Sequence, residues 1–110
     1  MTVVEIKELI ESLGLPCTYF SYPEGEAPDL PYIVWYFPNS SNFSADDKVY
    51  ANIEQLNIEL YTMNKDFATE QRIEGILDEE NFYWDKQETY IDSEHMYQVL
   101  YQTEVYINGG

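Results

Sequence analysis

Residues 32 to 61 constrain this chain more than any other stretch. Tyr32-Ile33-Val34-Trp35-Tyr36-Phe37 is an almost uninterrupted apolar-aromatic run. A strand that is apolar on both faces needs cover on both. After a polar loop from Pro38 to Lys48, the segment Ile53 to Tyr61 alternates cleanly, and such a strand needs cover on one face only. Together they predict a sheet with helices on one face and something further on part of the other. In a chain of 110 residues, a second copy of the chain is one candidate for that cover.

The flanking segments supply the helices. Val3, Ile6, Leu9, Ile10 and Leu13 recur at helical spacing. Thr2 and Glu5 form a capping box, while Gly14 and Pro16 close the helix, so a helix is expected over about 3–13. Cys17 to Tyr22 reads as a short strand, and 23–31, rich in Pro and Gly, as a stiffened loop. The second strand is Tyr32 to Phe37 and the third about Val49 to Thr62, with Leu56, Ile58 and Leu60 on one side. Asn64 or Asp66 caps a second helix over about 66–80, striped by Phe67, Ile73, Ile76 and Leu77. Gly75 within it suggests close packing on the sheet. Phe82 to Ile91 and His95 to Ile107 read as a β-hairpin, and Asn108 to Gly110 is expected to fray. The order α-β-β-β-α-β-β predicts one α+β domain over 1–110. Its sheet is mostly antiparallel, of about five strands, with two helices packed on one face.

The net charge is −16. Acidic segments with few aromatics stay unfolded, but 16% of these residues are Phe, Trp or Tyr, which favours a folded domain with an acidic skin. Lys7, Lys48, Lys65, Arg72 and Lys86 are the only Lys and Arg residues and are scattered. Binding a nucleic-acid backbone needs such residues clustered, and an anionic membrane surface disfavours this chain for the same reason. Three readings of the charge remain: solubility, contact with a basic partner, or a wall that repels DNA so that DNA passes without sticking. The single Cys17 excludes an internal disulfide and suits a reducing cytoplasm. The early charges at Glu5, Lys7 and Glu8 do not fit a signal peptide, and no apolar run approaches the ~18 residues of a membrane span.

Catalytic constellations are sparse. His95, the only histidine, lies at the mouth of the hairpin beside Ser93 and Glu94, where no rigid scaffold would hold a triad. One His and one Cys do not make a zinc site without carboxylates as the main ligands. The acidic clusters Asp46-Asp47, Asp78-Glu79-Glu80 and Glu24/Glu26 lack the spacing of a calcium loop. The glycines form no phosphate-binding loop. The eleven tyrosines lie mostly in the expected strands. Tyr buries area while keeping a polar tip wet, which suits either an interface or the shielded sheet of a monomer.

Several stretches carry a family resemblance. They are Ser12-Leu13-Gly14-Leu15-Pro16, Tyr22-Pro23-Glu24-Gly25-Glu26-Ala27-Pro28, Leu30-Pro31-Tyr32-Ile33-Val34, Tyr36 through Asp46, and Asn57-Ile58-Glu59-Leu60-Tyr61-Thr62. With the hairpin segment Tyr97-Gln98-Val99-Leu100-Tyr101, the chain resembles, over nearly its whole length, small proteins from tailed-phage and prophage morphogenesis clusters of Gram-positive bacteria. These are tail terminator (tail completion, head–tail joining) proteins. The resemblance is one of texture and order, without catalytic residues to carry over. It implies a structural protein with no enzymatic activity and no cofactor or metal. Such proteins assemble as a homo-oligomeric ring, commonly a hexamer, on the end of the tail tube. Their partners are the tail tube protein and the head–tail connector. The place of action is the tail–head junction of the virion, after assembly in the bacterial cytoplasm. DNA passes through the lumen without specific binding.

A closed ring needs two unlike patches on each subunit. Tyr32, Val34, Tyr36, Tyr97 and Tyr101 are the candidates for the oligomer interface. The loop 38–47, with Asn42, Phe43, Asp46 and Asp47, is the candidate for a segment projecting into the lumen or onto a neighbouring ring. An acidic lumen would repel the passing DNA. The alternative from another class is an acidic mimic of DNA that blocks a basic host protein, with carboxylates arrayed on an outer sheet face. A small hydrolase built on two carboxylates is the third reading.

Overall fold

Thr2 opens the first helix, α1 (Val3–Glu11), with the reciprocal cap its sequence predicts. The Glu5 amide donates to Thr2 Oγ1 at 3.1 Å, and the Thr2 amide donates to Glu5 Oε1 at 2.8 Å. Gly14 ends the helix at φ 78°, where a side chain would be strained, and donates its N–H to the Glu11 carbonyl at 3.0 Å. In this computed structural model, residues 1–38 and 52–107 are described. The expected start of the third strand, the candidate loop residues Asn42, Phe43, Asp46 and Asp47, and the terminal Asn108 to Gly110 lie outside them.

The remaining elements are β1 (Cys17–Tyr19), β2 (Tyr32–Tyr36), β3 (Asn52–Thr62), α2 (Phe67–Glu79), β4 (Trp84–Ile91) and β5 (Met96–Ile107), with a 3-10 turn (Asp92–Glu94) inside the hairpin. The five strands form one sheet in the order β1-β2-β3-β5-β4. Three pairings are antiparallel, and β1 pairs parallel with β2. The α+β architecture and the element order are those the sequence predicts.

Strand parity sorts the two faces. Ile33 pairs with Leu60 and Leu60 with Val99; Trp35 pairs with Ile58 and Ile58 with Tyr101. These rows make the helix side, where Ile6, Ile10 and Leu13 of the first helical segment and Ile73 and Leu77 of α2 close the core. Fully burying an Ile or Leu contributes about 1.5–3 kcal/mol, so this layer dominates the fold. Arg72 of α2 donates to the Leu13 carbonyl and ties the two helices together.

Three local expectations are corrected. Phe67 is 66% exposed, because it is the first residue of α2, and its ring carries the Lys65 ammonium 4.9 Å from the centroid. The inward position at that end of the helix belongs to Glu70 instead. Gly75 makes no close approach to the sheet: a Cβ placed there would have nothing within 4 Å. Finally, β1 stops at Tyr19 rather than Tyr22, for a reason that shapes the outer face of the sheet.

Candidate functional site

Two parallel neighbours need a crossover of about a dozen residues, and here the chain from Phe20 to Pro31 makes it across the face opposite the helices. It leaves β1 by a tight turn. The Ser21 amide donates to the Tyr19 carbonyl at 2.9 Å, and Phe20 between them sits at φ 73°. That is a strained place for a bulky side chain. The turn lays Phe20 edge-on to Tyr36, centroids 5.8 Å apart, and Tyr22 edge-on to Tyr32 at 5.3 Å. Tyr32 in turn stacks on Tyr61 at 5.1 Å. Val34, beneath them, is 6% exposed. The second apolar face of β2 is therefore covered by the chain's own crossover, with no second copy required.

A hydrogen-bonded row lies beside this cover. Tyr36 donates its hydroxyl to Glu59 Oε2 at 2.7 Å, and Tyr61 donates to Glu59 Oε1 at 2.6 Å. Gln98 donates its amide to the Tyr61 oxygen at 2.8 Å. The side-chain oxygen of Asn57 is buried with no hydrogen-bond partner, while its amide reaches the Tyr36 oxygen only at 3.4 Å. Burial, then the bond to Glu59, pushes the Tyr61 phenol far above its ordinary range. The bond from Asn57 pulls the Tyr36 phenol down, but burial and Glu59 outweigh it and leave it raised. Both phenols thus stay fixed as donors, which suits a binding geometry better than proton transfer. Glu59 has no cation beside it among the described residues; its two bonds are to neutral hydroxyls. Between crossover and sheet opens a cleft of about 220 Å³, lined by Phe20, Ser21, Tyr22, Ala27, Tyr32, Val34, Glu59 and Tyr61.

The predicted interface residues do not share one surface. Tyr32, Val34 and Tyr36 point to the outer face. Tyr97 and Tyr101 point to the helix side, as their pairing with Thr62 and Ile58 dictates. Tyr97 is partly buried and packs on Tyr90 at 4.9 Å. Tyr101 is 0% exposed beneath α2, with its hydroxyl donating to Glu74 Oε2 at 2.7 Å. Tyr101 and Val34 have no surface left to give to an interface, and that expectation is corrected for both.

Other apolar surface stands at the two edges of the sheet. Beside β1, a groove of about 540 Å³ runs between α1 and the strands, lined by Val3, Cys17, Tyr19, Trp35 and Phe37 with Lys7, Glu11 and Thr18. Burial, then the Glu11 charge, pushes the Cys17 thiol up, which lowers its share of reactive thiolate. At the β4 edge, Tyr83 is 83% and Tyr90 47% exposed. The outer rows between these edges hold Gln87, Thr89, Gln98, Leu100 and Gln102 together with the carboxylates Glu59, Asp85 and Glu104.

The described cations are committed within the chain. Lys7 lies 3.2 Å from Glu11. Lys65 lies 2.6 Å from Glu70 and also bonds Glu88. Lys86 lies 2.7 Å from Glu74 and 2.8 Å from Glu70 Oε1, the latter a charge contact without hydrogen-bond alignment. Glu70 is 2% exposed. Sequence reasoning missed it, although it stands three residues before Ile73 and seven before Leu77, on the buried stripe. Among the described residues, no group of three or more His, Cys, Asp or Glu side chains is placed to hold a metal, and no helix is long and apolar enough to cross a membrane. Comparison with protein-family models and with curated proteins finds no match for this chain.

Proposed function

We propose that this chain is a structural protein of a phage tail–head junction, which caps the tail tube as a homo-oligomeric, hexameric ring and joins it to the head connector. The observation that carries the reading is the contrast between the two edges of one sheet, an apolar groove at one and exposed tyrosines at the other. The groove beside β1, with Val3 and Tyr19, is concave and apolar, whereas β4 offers two separate exposed rings at its ends, Tyr83 beside Asp85 and Glu104 and Tyr90 against Tyr97. A head-to-tail contact that closes a ring needs two such unlike surfaces. The acid surplus supports the second half of the reading. Because the described cations are engaged by carboxylates or a carbonyl of the chain itself, the outward surface is left anionic and would repel DNA passing a lumen. The resemblance in sequence order supplies the partners: tail tube protein below, connector above, within a virion.

The test is deletion of the coding sequence from the phage or prophage that carries it, followed by electron microscopy of the particles. Tails of uncontrolled length without heads are expected. Normal virions would overturn the proposal.

A further inference from the structure

We propose that the cleft over Glu59 is a socket for the basic side chain, Lys or Arg, of a partner protein. This inference stands on the cleft alone and does not depend on ring assembly. Three aromatic rings border the cleft in mutual contact: Tyr22 edge-on to Tyr32 at 5.3 Å, and Tyr32 stacked on Tyr61 at 5.1 Å. Ring faces attract cations, and more strongly where water is excluded. Glu59 supplies a full negative charge to the same cleft. A carboxylate offers about four lone-pair positions, and Tyr36 and Tyr61 occupy one on each oxygen, so acceptor capacity remains for an ammonium or guanidinium. The hydroxyl bonds hold the carboxylate in place before any ligand arrives.

Charge decides the occupant. No described Lys or Arg lines the cleft, and Glu59 is a partly buried carboxylate with no cation beside it among the described residues. The protein carries −16 overall and would draw cations toward it. Anions and carboxylate ligands are repelled on the same grounds. The apolar wall selects the kind of cation. Phe20 is 65% exposed at the mouth, and Val34 lies in the lining. A Lys or Arg side chain has an alkyl stem to lie on such a wall while its charged head reaches the carboxylate. The strained turn at Phe20, φ 73°, is what brings this wall over the sheet, and strain of that kind is often held where binding needs it.

The experiment is an NMR titration of the full chain at about 0.15 M salt, where long-range attraction is screened. The probes are N-acetyl-arginine amide and N-acetyl-lysine amide. Their uncharged counterparts are N-acetyl-citrulline amide and N-acetyl-norleucine amide. Saturable shifts of the Tyr22, Tyr32 and Tyr61 ring signals are expected with the charged probes, and binding about tenfold weaker or less with the neutral ones. Glu59→Gln is expected to weaken the charged probes about tenfold. Tyr22→Ala, on the crossover and outside the core, is expected to weaken them while leaving the fold intact, which keeps the test decisive if Glu59→Gln unfolds. Glu8→Gln, on the exposed face of α1, is expected to change nothing. Neutral probes binding equally well, shifts spread over the acidic surface and reduced as much by Glu8→Gln, or no saturable shift would each overturn the proposal. Tetramethylammonium binding more tightly than both amino-acid amides would also overturn it, by pointing to a free quaternary amine instead of a protein side chain.

Discussion

The Glu70 carboxylate and the Lys86 ammonium meet at 2.8 Å between α2 and β4, with the carboxylate only 2% exposed. Lys65 approaches the same carboxylate from the other side at 2.6 Å. Glu70→Gln leaves two ammonium groups facing a neutral side chain. Breaking a buried pair costs about 3–5 kcal/mol. Here Lys65 and Lys86 keep Glu88 and Glu74, so a loss of about 2–3 kcal/mol is expected. A shift in urea-unfolding free energy below about 0.5 kcal/mol, the scale of an ordinary surface substitution, would contradict the placement of Glu70. Replacing Glu70, Lys65 and Lys86 together by Leu, Met and Met should cost less than Glu70→Leu alone, because it removes the stranded charges as well.

The same cluster sets a pH dependence. Burial alone would push the Glu70 carboxyl up, but the ammonium groups of Lys65 and Lys86 outweigh it and hold it below the usual carboxylate range. A depressed folded-state pKa contributes stability that is full above the unfolded value and is lost as pH falls through the folded one. Acidification also relieves the repulsion of a chain at −16, so the raw stability curve mixes two trends. The difference between wild type and Glu70→Gln isolates one of them. That difference is expected to be largest near pH 7 and to shrink steadily below about pH 4. A gap that stays constant down to about pH 2 would exclude ionised Glu70 as its source.

Much of this architecture is legible because its signals are local. Thr2, Glu5 and Gly14 bound the first helix by chemistry that acts within one turn, and the alternation of Leu56, Ile58 and Leu60 fixes a strand and its face. Two of the failures are non-local. The run at Ile33, Val34 and Trp35 says that both faces of β2 are covered, but not by what. The answer is a crossover that exists only because Phe20 accepts a positive φ, and no aromatic residue advertises that. Glu70 hides for a different reason: a charged side chain on an apolar stripe reads as an exception until Lys65 and Lys86 arrive from a loop and another strand. The cleft over Glu59 depends on both effects, which is why Tyr32 and Tyr36 were legible as surface residues while Tyr22 and Glu59 were not legible as their companions.

Gly75 offers a substitution with a clear sign. It lies within α2 on the exposed side, and a Cβ there would meet nothing within 4 Å. Glycine inside a helix costs about 1 kcal/mol relative to alanine. Gly75→Ala is therefore expected to raise unfolding free energy by up to about 1 kcal/mol, measured by urea denaturation. Destabilisation would mean that another chain or segment passes close to that face of α2.

Phe20 offers a comparison of two substitutions rather than one. Both Phe20→Ala and Phe20→Gly delete the ring that packs on Tyr36, so they lose the same contact. Only glycine takes φ 73° without strain. In an ordinary strand or helix glycine is the less stable choice; here Phe20→Gly is expected to be more stable than Phe20→Ala by about 1 kcal/mol. Thermal unfolding of the pair side by side decides it. The usual order, alanine above glycine, would show that the positive φ is not held in solution.

Assembly should depend on salt in an unusual direction. Subunits at −16 repel one another at low ionic strength, and screening shortens this to ~10 Å at 0.1 M. Self-association is therefore expected to strengthen as salt rises from about 0.01 M to about 0.3 M, read by sedimentation velocity. The edge surfaces make the contact testable by halves. Val3→Glu places a charge in the groove beside β1, and Tyr83→Glu places one at the β4 edge, each at an exposed position. If the contact is head-to-tail, either substitution alone removes one of the two unlike patches and leaves monomers. Mixing the two variants then restores a single good contact, groove of one with edge of the other, and growth stops at a dimer because the remaining patches are both damaged. A self-complementary contact behaves differently: a variant damaged outside the patch still dimerises on its own, and mixing adds nothing. Monomers throughout, in the wild type at high protein concentration and in both salt regimes, would count against association through these edges.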